Sequence, residues 1–182
     1  MPSPPPQVVL LVDGYNIIGT ESSLTKTRDR HGLLAARQEL VEVLINYSAF
    51  RGYKTKVVFD AHYQKTGTRQ EDLTTYVSVC YTDFGQTADS YIEKFCAAFR
   101  NKPQPFRRRL IVATSDRAQQ LTVTGYGAEW MSSQQLISDV HSTSRRVRRR
   151  QRPSKQSRGR FLVHSLDKSA QQRLSQWRQG IR

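Results

Sequence analysis

Val8-Val9-Leu10-Leu11-Val12-Asp13-Gly14-Tyr15-Asn16-Ile17-Ile18-Gly19 is the stretch on which the fold turns. Five consecutive apolar residues, three of them valine, predict a strand buried on both faces, as inside a parallel sheet. The run stops at a carboxylate. Gly14 then permits a sharp turn, and the Asn16 side chain is suited to holding it. Ligands of open α/β sheets bind beyond the carboxyl ends of the strands, which is where Asp13 would stand.

A lone Asp-Gly is an ordinary turn. Repetition changes that reading. Lys56-Val57-Val58-Phe59 ends at Asp60, and Leu110-Ile111-Val112-Ala113-Thr114-Ser115 ends at Asp116. Three strands that each deliver an aspartate at the same end would build one acidic cluster. Like charges held together must bind a cation or take up protons.

Leu33 to Arg51 carries apolar residues at helical spacing, and Gly52 closes that helix. Tyr53 to Phe59 follows as the second strand, so the strand–helix–strand order predicts a right-handed parallel crossover. Tyr76 to Thr82 alternates and is expected to be the third strand. Thr87 is placed to cap a helix through Phe99, whose buried stripe is Ile92, Phe95, Cys96 and Phe99. Leu110 to Ser115 makes a fourth strand, Arg117 to Thr124 a short helix, and Ala128 to Met131 a short fifth strand. Ser132 or Ser133 caps a last body helix with Leu136, Ile137 and Val140 inward. The polar stretches Thr20–Gly32, Ala61–Leu73 and Asn101–Arg109 read as loops. The expectation is an α/β body over residues 7–144, a parallel sheet of about five strands flanked by helices. A basic linker at 145–160, read as disordered, and a terminal segment at 161–182 with a short helix bearing Leu174 and Trp177 would follow.

The 182 residues include 29 Lys and Arg against 15 Asp and Glu, a net charge of +14. Such an excess calls for a polyanionic partner, nucleic acid above all. Within 145–160 stand nine basic residues and no acidic one, Arg148, Arg149 and Arg150 among them, so the rest carries 20 against 15. Cys80 and Cys96 sit in apolar surroundings without metal-ligand spacing and read as buried thiols; four scattered histidines make no zinc pattern. The proline-rich opening resembles neither a secretory signal nor a transit peptide, and no apolar run reaches membrane-spanning length. The expected setting is the cytoplasm or an organelle stroma, with no membrane partner and no small-molecule cofactor.

Asp89 opens the helix after the third strand, and Glu93 lies four residues on, on the same face. With Asp13, Asp60 and Asp116 these carboxylates could surround a hard cation, Mg2+ or Mn2+. Arg28, Arg30, Arg69 and Arg117 would stand around the rim, within reach of phosphates. The plainer alternatives are helix-terminal charges for Asp89 and Asp116 and a solvated face for Glu93.

Leu11-Val12-Asp13-Gly14-Tyr15-Asn16-Ile17-Ile18 resembles the opening motif of the NYN group of PIN-like nucleases, in its YacP-like branch. Thr87-Ala88-Asp89-Ser90-Tyr91-Ile92-Glu93-Lys94 and Val112-Ala113-Thr114-Ser115-Asp116 resemble that branch's second and third motifs, in order and spacing. The resemblance implies a Rossmann-like PIN fold and a divalent-metal endoribonuclease linked to messenger-RNA cleavage in association with the ribosome. It implies Asp13, Asp89 and Asp116 as metal ligands or holders of the catalytic water, with Asn16 and Ser115 behind them or at a phosphate. Asp60 and Glu93 match less closely. Single-strand preference follows from aromatic residues near basic ones. The competing readings are a non-catalytic RNA- or ribosome-binding protein and a structure-specific DNA nuclease. A phosphoacceptor receiver domain would need a lysine at the end of the fifth strand, and Ala128-Glu129-Trp130-Met131 has none.

Overall fold

β1 (Gln7–Asp13) lies inside a six-stranded sheet in the computed structural model, which describes residues 7–61, 69–101, 108–150 and 168–178. The chain continues through α1 (Gly14–Thr20), α2 (Ser22–His31), α3 (Leu33–Arg51) and β2 (Lys54–Phe59). It then forms β3 (Arg69–Asp72), β4 (Val77–Tyr81), α4 (Ala88–Asn101), β5 (Arg108–Ala113) and α5 (Arg117–Gly125). β6 (Glu129–Met131), α6 (Ser133–Arg150) and α7 (Lys168–Arg178) complete it. The strand order is β3-β4-β2-β1-β5-β6, parallel throughout except for β3.

β1 is uniformly apolar because both faces are covered. Leu10 and Val12 join the layer formed with α1, α2, α3 and α6, while Leu11 joins the layer formed with α4 and α5. All three are 0% exposed. Ser48 and Thr55, both buried, share a 2.6 Å hydroxyl hydrogen bond that ties α3 to β2. Cys80 and Cys96 are buried free thiols, as expected, and burial pushes the Cys96 thiol up to about 11.

Four expectations require correction. The sheet has six strands, because β3 pairs antiparallel with β4 inside the stretch read as a polar loop. Arg69-Gln70-Glu71-Asp72 has no apolar alternation because it is a short, charged edge strand, the kind that blocks further pairing. Residues 22–31 form a helix although Leu24 alone is buried there. Hydroxyl bonds fasten it, Thr25 to the Ile18 carbonyl at 2.9 Å and Thr27 to Glu39 at 2.7 Å, and these leave no apolar period to detect.

Gly14 is the first residue of α1 rather than part of a turn, and its φ is not positive. Glycine is needed there for space. A Cβ at Gly14 would stand 2.2 Å from the fully buried Phe59 ring. Finally, α6 runs through Arg150, past the boundary expected at 144. Val140 and Thr143 are buried and Val147 is half-buried, so the inward stripe continues into the basic run. Arginine favours helix, and cations favour the carboxyl end of one. Residues 151–160 of the expected linker, and the expected cap residues Ser165 and Asp167, lie outside the described residues.

Gly14→Ala is expected to lower stability by about 1–3 kcal/mol, the usual cost of overpacking. Gly19, also in α1, has nothing within 4 Å of an added Cβ, so Gly19→Ala should stabilise by about 0.5–1 kcal/mol. Urea melts of both variants check the contrast; equal effects would refute the packing argument.

Candidate metal-binding nuclease site

The strand order reverses at β1: the chain proceeds outward to β2 and β4 on one side, then returns to β5 and β6 on the other. A crevice opens at such a reversal, beyond the carboxyl ends of the strands. Asp13 ends β1 at this point and is 7% exposed. It caps α1, with one carboxylate oxygen accepting the Asn16 N–H at 3.1 Å.

Asn16 then reaches across the crevice. Its Oδ1 accepts the Ser115 N–H at 2.7 Å and the Ser133 hydroxyl at 2.8 Å, and the Ser115 hydroxyl accepts the Ser133 N–H at 3.1 Å. The ends of β1, β5 and β6 are thereby stitched together by buried or half-buried groups. Asn16 and Ser115 hold backbone at the edge of the cluster. Ser132 caps α6, its hydroxyl accepting the Gln135 N–H at 3.1 Å, which frees Ser133 for the stitch.

The remaining carboxylates converge from three other elements. Asp60, just past β2, accepts the Ala88 N–H and so binds the start of α4 to the sheet. Asp89 stands in the first turn of α4, which Thr87 caps as expected by accepting the Ser90 N–H at 3.2 Å. Asp116 caps α5 by accepting the Gln119 N–H at 2.8 Å. The Gln119 side chain crosses to Asp89 at 2.5 Å, joining α5 to α4.

These four aspartates act on one another electrostatically. Burial, and then the charges of Asp89, Asp60 and Asp116, push the Asp13 carboxyl up to about 6, against the opposing Asn16 hydrogen bond. Partial burial raises Asp89 in the same direction, followed by the charges of Asp116 and Asp60. Glu93 is not among the charges acting on either. It accepts a 3.3 Å bond from the Tyr126 hydroxyl, one turn along α4.

The donor set is all oxygen, which suits Mg2+ or Mn2+. Among the described residues no three such side chains stand at ligating distance from one point. A cation among these aspartates would offset their mutual repulsion. The Gln119 Oε1 is buried without a hydrogen-bond partner.

The arginines expected at the rim lie on β3, α5 and α2. Arg69 starts β3 opposite Tyr81 and is exposed, as is Arg117 in the first turn of α5. Arg28 and Arg30 occupy the last turn of α2, Arg28 being paired with Asp29 at 2.9 Å. Arg37 on α3 was not foreseen in the sequence. Its guanidinium lies 5.9 Å from the centroids of both Phe59 and Tyr81, at the ends of β2 and β4, and its Nε is buried without a partner. Arg148 and Arg149 are exposed in the last turns of α6, which also contains Arg150. They lie about 22 Å or more along α6 from Ser133, so they are remote from the carboxylates.

A family model, the YacP-like NYN domain, matches residues 10–179. The uncharacterized protein YacP of Bacillus subtilis (strain 168) is 33% identical over 174 residues, which is 94% of this chain and 97% of that protein. The crystal structure of Rae1 (YacP) from Bacillus subtilis superposes with a TM-score of 0.65 at 31% identity, covering 94% of this chain and 95% of that one. A mutant form of the same Bacillus protein gives 0.68 at 30% identity, covering 92% and 98%.

The chain belongs to the YacP-like NYN family. The fold is accordingly the PIN-like α/β fold expected, and the family implies a PIN-like nuclease. No helix among the described residues is long and apolar enough to cross a membrane. Of the site residues in this NYN domain, sequence reasoning missed Gln119, Ser133 and Arg37. Gln119 did carry a signal: Asp116-Arg117-Ala118-Gln119 has the spacing of a capping box. Arg37 and Ser133 had none, since each depends on which element folds opposite.

The raised Asp13 pKa fixes a pH dependence. Its folded value of about 6 exceeds the 3.8 of the unfolded chain, so the folded protein binds more protons between them. The metal-free protein therefore loses stability as pH rises through that window, by about 2–3 kcal/mol from Asp13. Asp13→Asn should remove this loss, being more stable than wild type by about that amount at pH 8 and nearly equal at pH 4. Urea melts in chelator at both pH values check it; an equal gain at both would assign the effect elsewhere.

Proposed function

We propose that this chain is a divalent-metal-dependent endoribonuclease that hydrolyses phosphodiester bonds in RNA, with messenger RNA as substrate and the ribosome as a partner. The observation that carries the reading is the convergence of Asp13, Asp60, Asp89 and Asp116 at the strand-order reversal, with Asp13 buried and its pKa raised. Pure RNA binding gains nothing from clustered carboxylates, which repel phosphates. Membership of the YacP-like NYN family supports the same reading.

Asp13, Asp60, Asp89 and Asp116 would hold Mg2+ or Mn2+. Glu93, turned to Tyr126, falls outside this set. A bound cation would neutralise charge on the phosphodiester and acidify an attacking water. Asn16 and Ser115 keep the cluster's edge rigid by joining β1 to β5. Arg30, Arg69, Arg117 and Arg37 would hold phosphates along the rim, with Arg28 free to join them by releasing the exposed Asp29. Arg148, Arg149 and Arg150 supply a separate, non-catalytic contact to the RNA backbone at the far end of α6. The setting that suits this chemistry is the cytoplasm or an organelle stroma.

The reaction is tested with labelled single-stranded RNA and matched DNA, Mg2+ or Mn2+, wild type and Asp13→Asn. Wild type should cut RNA, chelator should stop it, and Asp13→Asn should lose about 10²-fold or more, the equivalent of several kcal/mol of charge stabilisation. Cleavage of DNA alone would replace the substrate. Bound but uncut RNA, with translating ribosomes also present, would make the chain a binding protein.

The remote arginines have a separate signature. Arg148→Gln with Arg149→Gln should weaken RNA binding and flatten the plot of log K against log salt by about 1.4, at about 0.7 per phosphate contact for a single strand. The rate at saturating RNA should not change. A lowered kcat with an unchanged salt slope would place these arginines at the reaction instead.

A further inference from the structure

The first turn of α5 has the spacing of a capping box, in which the N-cap side chain accepts the N–H three residues on and that residue's side chain accepts the N-cap N–H in return. Only half of the box is made. Asp116 accepts the Gln119 N–H at 2.8 Å, but the Asp116 N–H goes to the Thr114 hydroxyl at 3.1 Å. Thr114 is fully buried, so this substitution is fixed by packing. Gln119, relieved of its local duty, extends to Asp89, Nε2 donating to Oδ1 at 2.5 Å. The amide orientation follows from chemistry, because a carboxylate only accepts and must face the NH2 group. That choice leaves Oε1 buried without a partner in a residue only 6% exposed.

An unmet buried acceptor keeps the full penalty of having left water, with no bond to offset it. Closing the capping box, with Oε1 accepting the Asp116 N–H, would avoid that penalty. The chain instead commits the glutamine to a carboxylate that the fold alone does not require to be held, since Asp89 is exposed and Thr87 already caps α4.

We infer that Gln119 is a positioning residue of the candidate metal site: its Nε2 holds Asp89 toward Asp116, so that the two carboxylates are presented together to a divalent cation. This inference rests on the metal-dependent reading above and adds the residue that sets the spacing between α4 and α5 carboxylates. Gln119 does not touch the RNA. It acts through Asp89.

The test uses the full chain and Mn2+ alone, with no RNA. Gln119→Met keeps the length and volume while removing both donor and acceptor. Mn2+ titration by calorimetry should give a dissociation constant raised about 10–100-fold, the usual loss when a residue behind a ligand is removed. The melting temperature in chelator should be equal to or above that of wild type, because the unmet acceptor is gone. Thr114→Val provides an independent route: it orphans the Asp116 N–H, draws Gln119 back to close the box, and should weaken Mn2+ binding in the same way. Wild-type Mn2+ affinity in both variants would overturn the inference and leave the metal site standing. Absence of Mn2+ binding by wild type would overturn the metal reading and this inference with it.

Discussion

The side-chain oxygen of Asn16 is the point on which the edge of the site depends. It accepts two donors, the Ser115 N–H and the Ser133 hydroxyl, from segments 99 and 117 residues later in the chain. Parallel strands have no short turns between neighbours, so nothing local fixes the relative height of the ends of β1, β5 and β6. A single acceptor taking both donors does. Asp13 stands three residues before it and Asp116 one residue after Ser115, so the two carboxylates inherit their separation from this bond pair.

That construction carries a cost in the metal-free protein. Asp13 is almost wholly removed from water beside three other aspartates, which is why its carboxyl is driven up to about 6. A fold selected only for stability would place an uncharged residue there. Gly14 adds a second constraint, since the Phe59 ring fills the space where a side chain would be, and Phe59 in turn backs Tyr15 at 5.1 Å between ring centroids. The apolar packing behind the crevice is therefore tight, while the polar edge in front gathers like charges. Stability is concentrated in the sheet, and the repulsion is confined to its rim.

The parallel strands and their aspartates were legible because buried strands need long apolar runs, and a charge ending such a run is conspicuous. β1, β2, β5 and the caps at Thr87 and Gly52 followed from local chemistry alone. What escaped notice was held by polar groups. α2 buries one leucine and hangs on hydroxyl bonds; β3 is a charged edge; the arginines ending α6 looked like linker because charge conceals a helix whose inward residues there are only Thr143 and Val147. Gly14 was legible as important but for the wrong physical reason, since a sequence shows that glycine is present and not which ring fills the space beside it. Within the site, four carboxylates could be proposed from strand ends and a helix start, whereas Gln119, Ser133 and Arg37 act across the crevice and become visible only once the elements are packed.

A helix-capping aspartate and a metal-binding aspartate look like rival interpretations, yet they use different atoms. Asp13 and Asp116 each commit Oδ1 to one backbone N–H, of Asn16 and Gln119, at 3.1 and 2.8 Å. The cap orients the carboxylate at the helix start, where the peptide dipoles favour negative charge. It restrains χ1 and χ2, so the remaining oxygen is held in a defined direction without a separate supporting residue. Asp89 has no such cap of its own, and Gln119 supplies the restraint from the neighbouring helix. With Asp60 held by the Ala88 N–H, three carboxylates are thus oriented by backbone and one by a side chain, which makes Asp89 the member whose position a single substitution can loosen while the fold is kept.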